Sequence, residues 1–218
     1  MEITKELLLS AYMQGIFPMA ESADADDVFW VDPDERGVFP LDKFHVPKKL
    51  ARKIRNEPFD VRINTAFRDV MLKCAEPTQN IDRQNTWINE IILKRYCELH
   101  ELRYAHSVEC WQDDKLVGGL YGVAINGAFC GESMFHDVTD ASKIALVYLV
   151  ARLRVGGYIL LDTQFVTDHL SQFGAIEIPR AEYRARLKEA LEIEDTDFYS
   201  LSEDADGPTI LQSVTQTS

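Results

Sequence analysis

The sequence predicts a mixed α+β fold, in which a mixed sheet is flanked by helices and preceded by a small N-terminal module. Three alternating apolar segments between residues 105 and 135 are separated by the turn dipeptides Asp113-Asp114 and Asn126-Gly127, which is typical of an antiparallel meander. A strongly periodic helix and a further apolar strand follow this meander. Because 46% of the residues are hydrophobic, the chain can bury a sizeable core.

The first 43 residues differ in pattern from the rest of the chain. An amphipathic helix is predicted over residues 4–14, where Gly15 ends it and Pro18 prevents its continuation. The later segment FWVDPDERGVFPLD is rich in proline and aromatic residues and lacks a helical period. We therefore predict a small N-terminal module over residues 1–43.

Residues 44–192 are predicted to form the main domain. Its first part contains a basic helix, KKLARKIR, a strand, FDVRI, and a second helix capped by Thr65. A longer helix from about residue 86 to residue 102 leads into the meander. After the meander, a helix begins at Thr139 or Asp140 and ends at Gly156, and it delivers the chain into the strand YILLDTQF. A strand, AIEI, and a last helix complete the domain.

The end of the chain is strongly acidic. Seven acidic residues and no basic residue lie between Glu192 and Asp206, in a chain whose formal net charge is −13. Acidic and Ser/Thr-rich sequence of low complexity is typical of segments that bury too little apolar surface to fold. We therefore predict that residues 193–218 form a disordered tail.

Composition also bounds the location and the cofactors of the protein. No run approaches about 18 apolar residues, and the N-terminus MEITKELLLS carries acids where a secretory signal would be basic, so we predict a soluble cytoplasmic protein with no membrane segment. The cysteines form no CxxC pair and no cluster with histidine, so we predict no metal site. These cysteines are Cys74, Cys97, Cys110 and Cys130.

Three antiparallel strands, a helix and a further strand are typical of the acyltransferase fold called GNAT. Ordinary acetyltransferases of this fold bind the coenzyme pyrophosphate on a glycine-rich turn between the meander and the next helix. The corresponding segment here is MFHDVTDASK, which has no glycine. The sequence therefore predicts a GNAT-like fold, and the missing glycine-rich turn argues against acetyl-CoA as its acyl donor.

Polar residues on apolar strands are the candidates for chemistry. In CGESMF, Glu132 is expected to share a strand face with Cys130 and Met134, and a carboxylate there needs a partner or a ligand. In LLDTQF, Asp162 and Gln164 are two residues apart and hence predicted to lie on one face. Both features also have structural alternatives, namely an ion pair between Glu132 and an arginine, and hydrogen bonds from the Asp/Gln pair to a helix end.

The sequence resembles the leucyl/phenylalanyl-tRNA-protein transferase family from about Tyr12 to Leu191. The resemblance rests on WVDPDERGVFPL, TWI, HELRYAHSVECW, LVGGLYGVA, FCGESMF, ASK, LLDTQ and FGAIEIPR, in the order and approximate spacing of that family. It implies transfer of leucine or phenylalanine, and less readily methionine, from aminoacyl-tRNA to proteins that begin with arginine or lysine, which marks them for degradation. It implies no metal, ATP or coenzyme.

The resemblance also implies roles for individual residues. Asp162 and Gln164 correspond to the catalytic pair, and we assign positioning of the attacking amine to Gln164 and stabilisation of the developing ammonium to Asp162. Glu132 would pair with a cationic amine in the substrate pocket. The remaining substrate-binding positions are the adenosine-stacking Trp30 and Trp87 and the side-chain pocket residues Leu120, Leu149, Leu153 and Leu161.

A basic stripe is the candidate contact for tRNA phosphates. It consists of Lys48, Lys49, Arg52 and Lys53 on one helix face, although such a stripe is also typical of a solvated surface. The chain departs from the family at His136-Asp137, where Ser-Arg is usual. We expect a monomer. Two alternatives stay open at this point, a GNAT enzyme that uses another donor such as acetyl-CoA and a noncatalytic tRNA-binding adaptor.

Overall fold

The computed structural model describes residues 3–77 and 86–215. Its strands are β1 (Phe17–Met19), β2 (Phe29–Val31), β3 (Glu35–Phe39), β4 (Asp60–Ile63), β5 (Ala105–Gln112), β6 (Lys115–Ile125), β7 (Ala128–His136), β8 (Leu160–Gln164) and β9 (Ile176–Pro179). Its α-helices are α1 (Lys5–Met13), α2 (Lys48–Arg55), α3 (Phe67–Ala75), α4 (Glu90–Glu101), α5 (Ala141–Val155), α6 (Asp168–Ser171), α7 (Arg180–Leu191) and α8 (Gly207–Thr215).

Seven of these strands form one mixed sheet with the order β4-β5-β6-β7-β8-β3-β9. Its neighbouring strands are antiparallel except β7 and β8, which run parallel and are connected by α5. The remaining two strands, β1 and β2, pair antiparallel in a small separate sheet. The predicted mixed α+β class and the predicted β5–β6–β7 meander are therefore confirmed.

Apolar clusters cover both faces of the seven-stranded sheet. Side chains of α2, α5 and α8 contribute to the cluster on one face, and those of α1, α3 and α4 to a cluster on the other, with α7 over the β3–β8 end. Helix α5 is bounded by Asp140 and Gly156, as predicted, whereas α4 begins only after its cap Asn89. No helix in residues 3–77 and 86–215 is long and apolar enough to cross a membrane.

The N-terminal region is joined to the main sheet through β3. This strand lies within the predicted N-terminal module, yet it pairs with β8 on one side and with β9 on the other. Local sequence pattern identifies a strand but not its partners, which explains why residues 1–43 looked separate. The division of the chain at residue 43 stays a prediction.

The prediction of a disordered tail is wrong for residues 193–215. Helix α8 buries Ile210, Leu211 and Val214 against α5 and α2, and Phe198 and Leu201 belong to the same core cluster. The Arg152 side chain, which is 2% exposed, donates hydrogen bonds to the carbonyls of Phe198 and Leu201 at 2.9 and 2.7 Å. A few well-spaced apolar residues thus fold a segment that is acidic on average.

Candidate active site

An apolar cleft of about 510 Å³ opens beside β6, β7 and β8. Strand β1 supplies Phe17 and Met19 to its wall, and Trp87 precedes α4 on the same wall. Among the polar residues of its lining, Glu132 from β7 and Gln164 from β8 lie on neighbouring strands and are hydrogen-bonded to each other. A largely apolar cleft with a few convergent polar groups is the usual form of a ligand site.

Glu132 is placed in the cleft by a β-bulge. Tyr121 of β6 pairs with Ser133 and Gly122 pairs with Gly131, so that Glu132 is the extra residue of β7. Bulges of this kind re-aim side chains and are common beside active sites. The bulge also interrupts the alternation on which the sequence prediction relied, so that Cys130 packs on one face of the sheet and Met134 on the other.

Three neutral donors hold the Glu132 carboxylate. Tyr12 donates to its Oε1 at 2.6 Å, Gln164 Nε2 donates to the same oxygen at 2.9 Å, and Tyr96 donates to Oε2 at 3.3 Å. The Tyr12 and Tyr96 hydroxyls are also hydrogen-bonded to each other, so Tyr96 shares its single proton between the Tyr12 oxygen and Glu132 Oε2. Burial first, and the nearby Glu132 charge second, raise the pKa of both tyrosines well above the ordinary value, so both remain donors.

Within the described part of the chain, the charge of Glu132 is therefore not balanced by a cationic side chain. Burial raises the pKa of Glu132 to about 7, while the hydrogen bonds from Tyr12, Gln164 and Tyr96 oppose that rise, and the charge of Asp162 adds to it. The alternative of an ion pair between Glu132 and an arginine is not observed among the described residues. An uncompensated carboxylate in a cleft is suited to a cationic or proton-donating ligand.

Gln164 ends β8 in a strained turn. Its φ is +62°, and the Phe165 N–H donates to the Thr163 carbonyl at 2.6 Å, which makes residues 163–165 a γ-turn of the rare positive-φ type. Gly37 of β3 packs against this turn so closely that a Cβ there would lie 2.7 Å from the Phe165 carbonyl carbon. Such strain costs about 1–3 kcal/mol and is concentrated at functional sites.

Asp162 lies behind the cleft and supports this turn. Its carboxylate is 0% exposed and forms a two-point ion pair with Arg36, whose Nε and Nη2 lie 2.9 and 2.6 Å from Oδ1 and Oδ2. Tyr183 donates to Oδ2 at 2.8 Å, and the Gln164 backbone N–H donates to Oδ1 at 2.8 Å. Arg36 also donates to the Gly15 carbonyl and thereby connects the α1–β1 turn to the site.

Known proteins with similar sequences identify the family. The family model described as "Leucyl/phenylalanyl-tRNA protein transferase" matches residues 38–188, and its "N-terminal domain" model matches residues 1–34. The chain belongs to the leucyl/phenylalanyl-tRNA protein transferase family. The predicted resemblance is confirmed, and with it the prediction of an aminoacyltransferase enzyme.

Relatives that carry the name of this transferase match over most of their length. The protein of Phenylobacterium zucineum is 56% identical over 97% of this chain and 96% of its own, and that of Paramagnetospirillum magneticum is 60% identical over 87% and 90%. That of Nitrobacter winogradskyi is 61% identical over 88% and 84%. The solved structure of L-PGS from Bacillus licheniformis aligns at a TM-score of 0.37 with 15% identity, over 72% of this chain and 51% of that chain.

The cleft contains most, but not all, of the residues that the transferase resemblance implied for substrate binding. Trp87, Leu120, Leu149 and Leu161 lie on its wall together with Glu132 and Gln164. Leu153 is 0% exposed in the core, and Trp30 is 36% exposed on β2, and neither is among the described residues that line the cleft. Met19, which precedes the acidic loop, lies on the wall instead.

Among the residues at the candidate site that sequence reasoning missed are Tyr12, Tyr96, Arg36 and Met19. The two tyrosines lie on helices whose apolar faces predict core positions, so only the fold reveals that their hydroxyls reach Glu132. Arg36 could have been suspected, because a buried Asp162 requires a cation and DERG lies within a family motif. Met19 gave no signal.

The basic stripe lies on an exposed face of α2 and takes no part in the hydrogen bonds around Glu132, Asp162 and Gln164 that are described above. Lys48, Lys49 and Arg52 are exposed, whereas Lys53 pairs with Asp140 at 3.0 Å and also donates to the Thr139 carbonyl. Lys49, Arg52 and Lys53 border a second groove of about 490 Å³ between α2 and the start of α5. In residues 3–77 and 86–215, no three metal-ligating side chains come together.

Proposed function

We propose that this chain transfers leucine or phenylalanine, and less readily methionine, from aminoacyl-tRNA to acceptor proteins that begin with arginine or lysine. The observation that carries the proposal is the apolar cleft with the Glu132–Gln164 pair at its wall. Family membership supplies the reaction class. In this proposal the added residue marks the acceptor for degradation by the N-end rule.

The apolar part of the cleft suits the side chain of the transferred amino acid. Its wall includes Leu120, Leu149, Leu161 and Phe39, whose side chains have no hydrogen-bonding group, and the flexible thioether side chain of Met134. Unbranched Met134 can adapt to ligands of different shape, which fits acceptance of both leucine and phenylalanine. The volume of about 510 Å³ exceeds that of one such side chain and leaves room for the terminal adenosine.

An aromatic face is available for that adenosine. Trp87 lies on the cleft wall, and stacking of a base on an indole contributes about 1–3 kcal/mol. We assign this contact to Trp87 and propose only a peripheral contact for Trp30, which is exposed on β2. Leu153 lies in the same buried core cluster as the wall residues Leu149 and Leu161.

The chemistry is aminolysis of an ester that is already activated, so it requires no metal, ATP or coenzyme. The acceptor α-amine attacks the carbonyl carbon of the aminoacyl ester, and the ribose oxygen leaves. Because Gln164 Nε2 donates to Glu132, the Gln164 carbonyl faces elsewhere and can accept a hydrogen bond from the attacking amine. The amine is thereby aimed at the ester.

Asp162 acts in this mechanism by holding Gln164. The sequence assigned it the charge of the developing ammonium, but Arg36, Tyr183 and the Gln164 backbone N–H already engage both of its oxygens. We therefore propose a positioning role, in which Asp162 fixes the γ-turn that presents the Gln164 amide. Arg36 extends this support to the α1–β1 turn.

The finer predictions of fold, partners and location remain parts of the proposal. The β5–β6–β7 meander, α5 and β8 support a GNAT-like arrangement, with the ester in the cleft beside the parallel β7–β8 pair. The exposed face of α2, with Lys48, Lys49, Arg52 and Lys53, would bind phosphates of the tRNA acceptor stem. We propose a cytoplasmic monomer.

Transfer of labelled leucine from Leu-tRNA to a peptide that begins with arginine tests the function. We expect labelled peptide in the absence of added metal, ATP or coenzyme, and none with the same peptide acetylated at its N-terminus. Binding of Leu-tRNA without transfer would favour a noncatalytic adaptor. Thermal stabilisation by acetyl-CoA but not by Leu-tRNA would favour a GNAT enzyme with another donor.

A further inference from the structure

Glu132 is the one carboxylate among the described residues that line the cleft. The proposed reaction must remove a proton from the attacking nitrogen, because the product is a neutral amide. Gln164 cannot accept that proton, since its amide is not basic near neutral pH. Asp162 is engaged by Arg36, Tyr183 and the Gln164 backbone, and it does not line the cleft.

The hydrogen bonds of Gln164 bring the attacking nitrogen near Glu132. The Gln164 Nε2 lies 2.9 Å from Glu132 Oε1, and the carbonyl oxygen of the same amide is the group that can accept a hydrogen bond from the amine. An amine on that carbonyl is separated from the Glu132 carboxylate by one amide group, a gap that a single water molecule can bridge. Among the described residues, the donor to Glu132 Oε2 is Tyr96, over a long bond of 3.3 Å, which leaves this oxygen able to accept a further proton.

We propose that Glu132 is the proton acceptor of the transfer reaction, an assignment that rests on the proposed function. As the nitrogen forms its bond to the carbonyl carbon, the carbonyl π pair moves onto oxygen, and Glu132 takes one proton from the nitrogen through the bridging water molecule. Collapse of the tetrahedral intermediate breaks the bond to the ribose oxygen. Glu132 returns the proton to that oxygen, so that the carboxylate is regenerated and no net proton is released.

The groups around Glu132 suit this cycle. The titratable or charged side chains that face it are Tyr12 from α1, Tyr96 from α4, Tyr121 from β6, Cys130 from its own strand, and Asp162 with its partner Arg36. The three tyrosines have a pKa raised well above the ordinary value by burial, so they stay protonated. The Glu132 pKa of about 7 matches a general base that works near neutral pH.

Two histidines on the cleft wall are the competing bases. His136 is exposed, and its Nδ1 lies 3.3 Å from Ser142 Oγ, while burial lowers the pKa of His169. Neither is hydrogen-bonded to Glu132 or Gln164 in the described part of the chain. Geometry therefore favours Glu132.

Single-turnover transfer rates between about pH 5.5 and pH 9, with saturating Leu-tRNA and arginine-first peptide, test the assignment. The transfer rate of the parent protein should rise with pH, with the midpoint of the rise near pH 7. This rise is the limb that the variants test. Glu132→Gln should lower the rate about 10²- to 10⁴-fold and remove that limb, while leaving tRNA affinity unchanged. Tyr12→Phe should move the limb upward, because the ionised carboxylate loses its shortest hydrogen bond.

The acceptor amine also titrates in this range and adds the same limb to every variant, so Glu132→Gln should keep the amine limb and lose the one near pH 7 that Glu132 contributes. Neither histidine contributes to that second limb. His136→Gln and His169→Gln should therefore keep the limb where the parent has it. An unmoved limb in Tyr12→Phe, or an intact limb in a slowed Glu132→Gln, overturns the assignment while the proposed function stands. A parent protein that transfers no leucine at any pH overturns both.

Discussion

At the scale of single residues, Glu132 carries a cost in stability that follows from its place in the cleft. Its pKa is raised from 4.5 to about 7, so the folded protein binds this proton more tightly than the unfolded chain does. Ionisation therefore destabilises the fold. The destabilisation is absent below about pH 4.5, grows as the pH rises, and is complete above about pH 7.

Replacement of Glu132 by glutamine should remove this cost. We compare the free energy of unfolding of Glu132→Gln with that of the parent at each pH. The difference in favour of the variant should be about 1–3 kcal/mol larger at pH 8 than at about pH 4.5. Urea unfolding of both proteins at the two pH values measures the change. If the free energies of unfolding of the two proteins differ by the same amount at both pH values, ionisation of Glu132 does not destabilise the fold.

The variants Asp162→Asn and Gln164→Ala should differ in stability, although both should slow transfer. Asp162→Asn leaves Arg36 buried without an anion, and breaking such a pair costs about 3–5 kcal/mol, so both stability and transfer rate should fall. Gln164→Ala removes only the described side-chain contact with Glu132 and should slow transfer with little loss of stability. Thermal melting beside single-turnover rates decides; Asp162→Asn with the parent's melting temperature contradicts the support role.

The residues that could be predicted from sequence are those whose chemistry is visible in a motif. Glu132 and Gln164 were identified, as were the apolar wall residues Leu120, Leu149 and Leu161. Their orientation could not be, because period-two alternation fails at the bulge of β7 and at the γ-turn after β8. Long-range partners such as Tyr12, 120 positions from Glu132, leave no local signal.

At the scale of elements, local signals fixed boundaries better than pairings. Helix α5 begins and ends where its cap residues and Gly156 predict, and the meander turns lie at the predicted dipeptides. Strand β3 has no local feature that assigns it between β8 and β9. That pairing depends on the whole sheet, including Gly37, which admits the turn at Gln164.

The exposed face of α2 yields a prediction about salt. Alanine at Lys48, Lys49 and Arg52 should weaken tRNA binding and reduce the log–log salt slope by roughly 0.7–0.9 for each phosphate that the helix no longer neutralises. Lys53 is kept, since it ties α2 to Asp140. A matched control, alanine at Arg184, Arg186 and Lys188, removes the same charge from α7. Equal salt slopes in the two triple variants would show that the basic face of α2 is a solvated surface that does not contact tRNA phosphates.

At the scale of the whole molecule, average composition misrepresents the end of the chain. The seven acids between Glu192 and Asp206 suggested a detached tail, yet apolar side chains spaced through residues 198–214 complete the core beneath α2 and α5. Three carbonyls of the segment accept hydrogen bonds from the buried Arg152 guanidinium. The charged residues and the core-packing residues are different residues of one segment, so composition alone cannot distinguish a disordered tail from a segment that packs on the core.

Deletion of residues 193–218 should therefore unfold the protein rather than leave it intact. The deletion removes the buried side chains of Phe198, Leu201, Ile210, Leu211 and Val214. At about 1.5–3 kcal/mol for each buried apolar side chain, their loss is comparable to the whole stability of a typical domain. Glu203→Gln with Asp204→Asn, two exposed positions of the same segment, should change stability by less than about 0.5 kcal/mol. Calorimetry of the three proteins measures both effects. A truncated chain that still melts cooperatively near the parent temperature would show that residues 193–218 add nothing to the stability of the core.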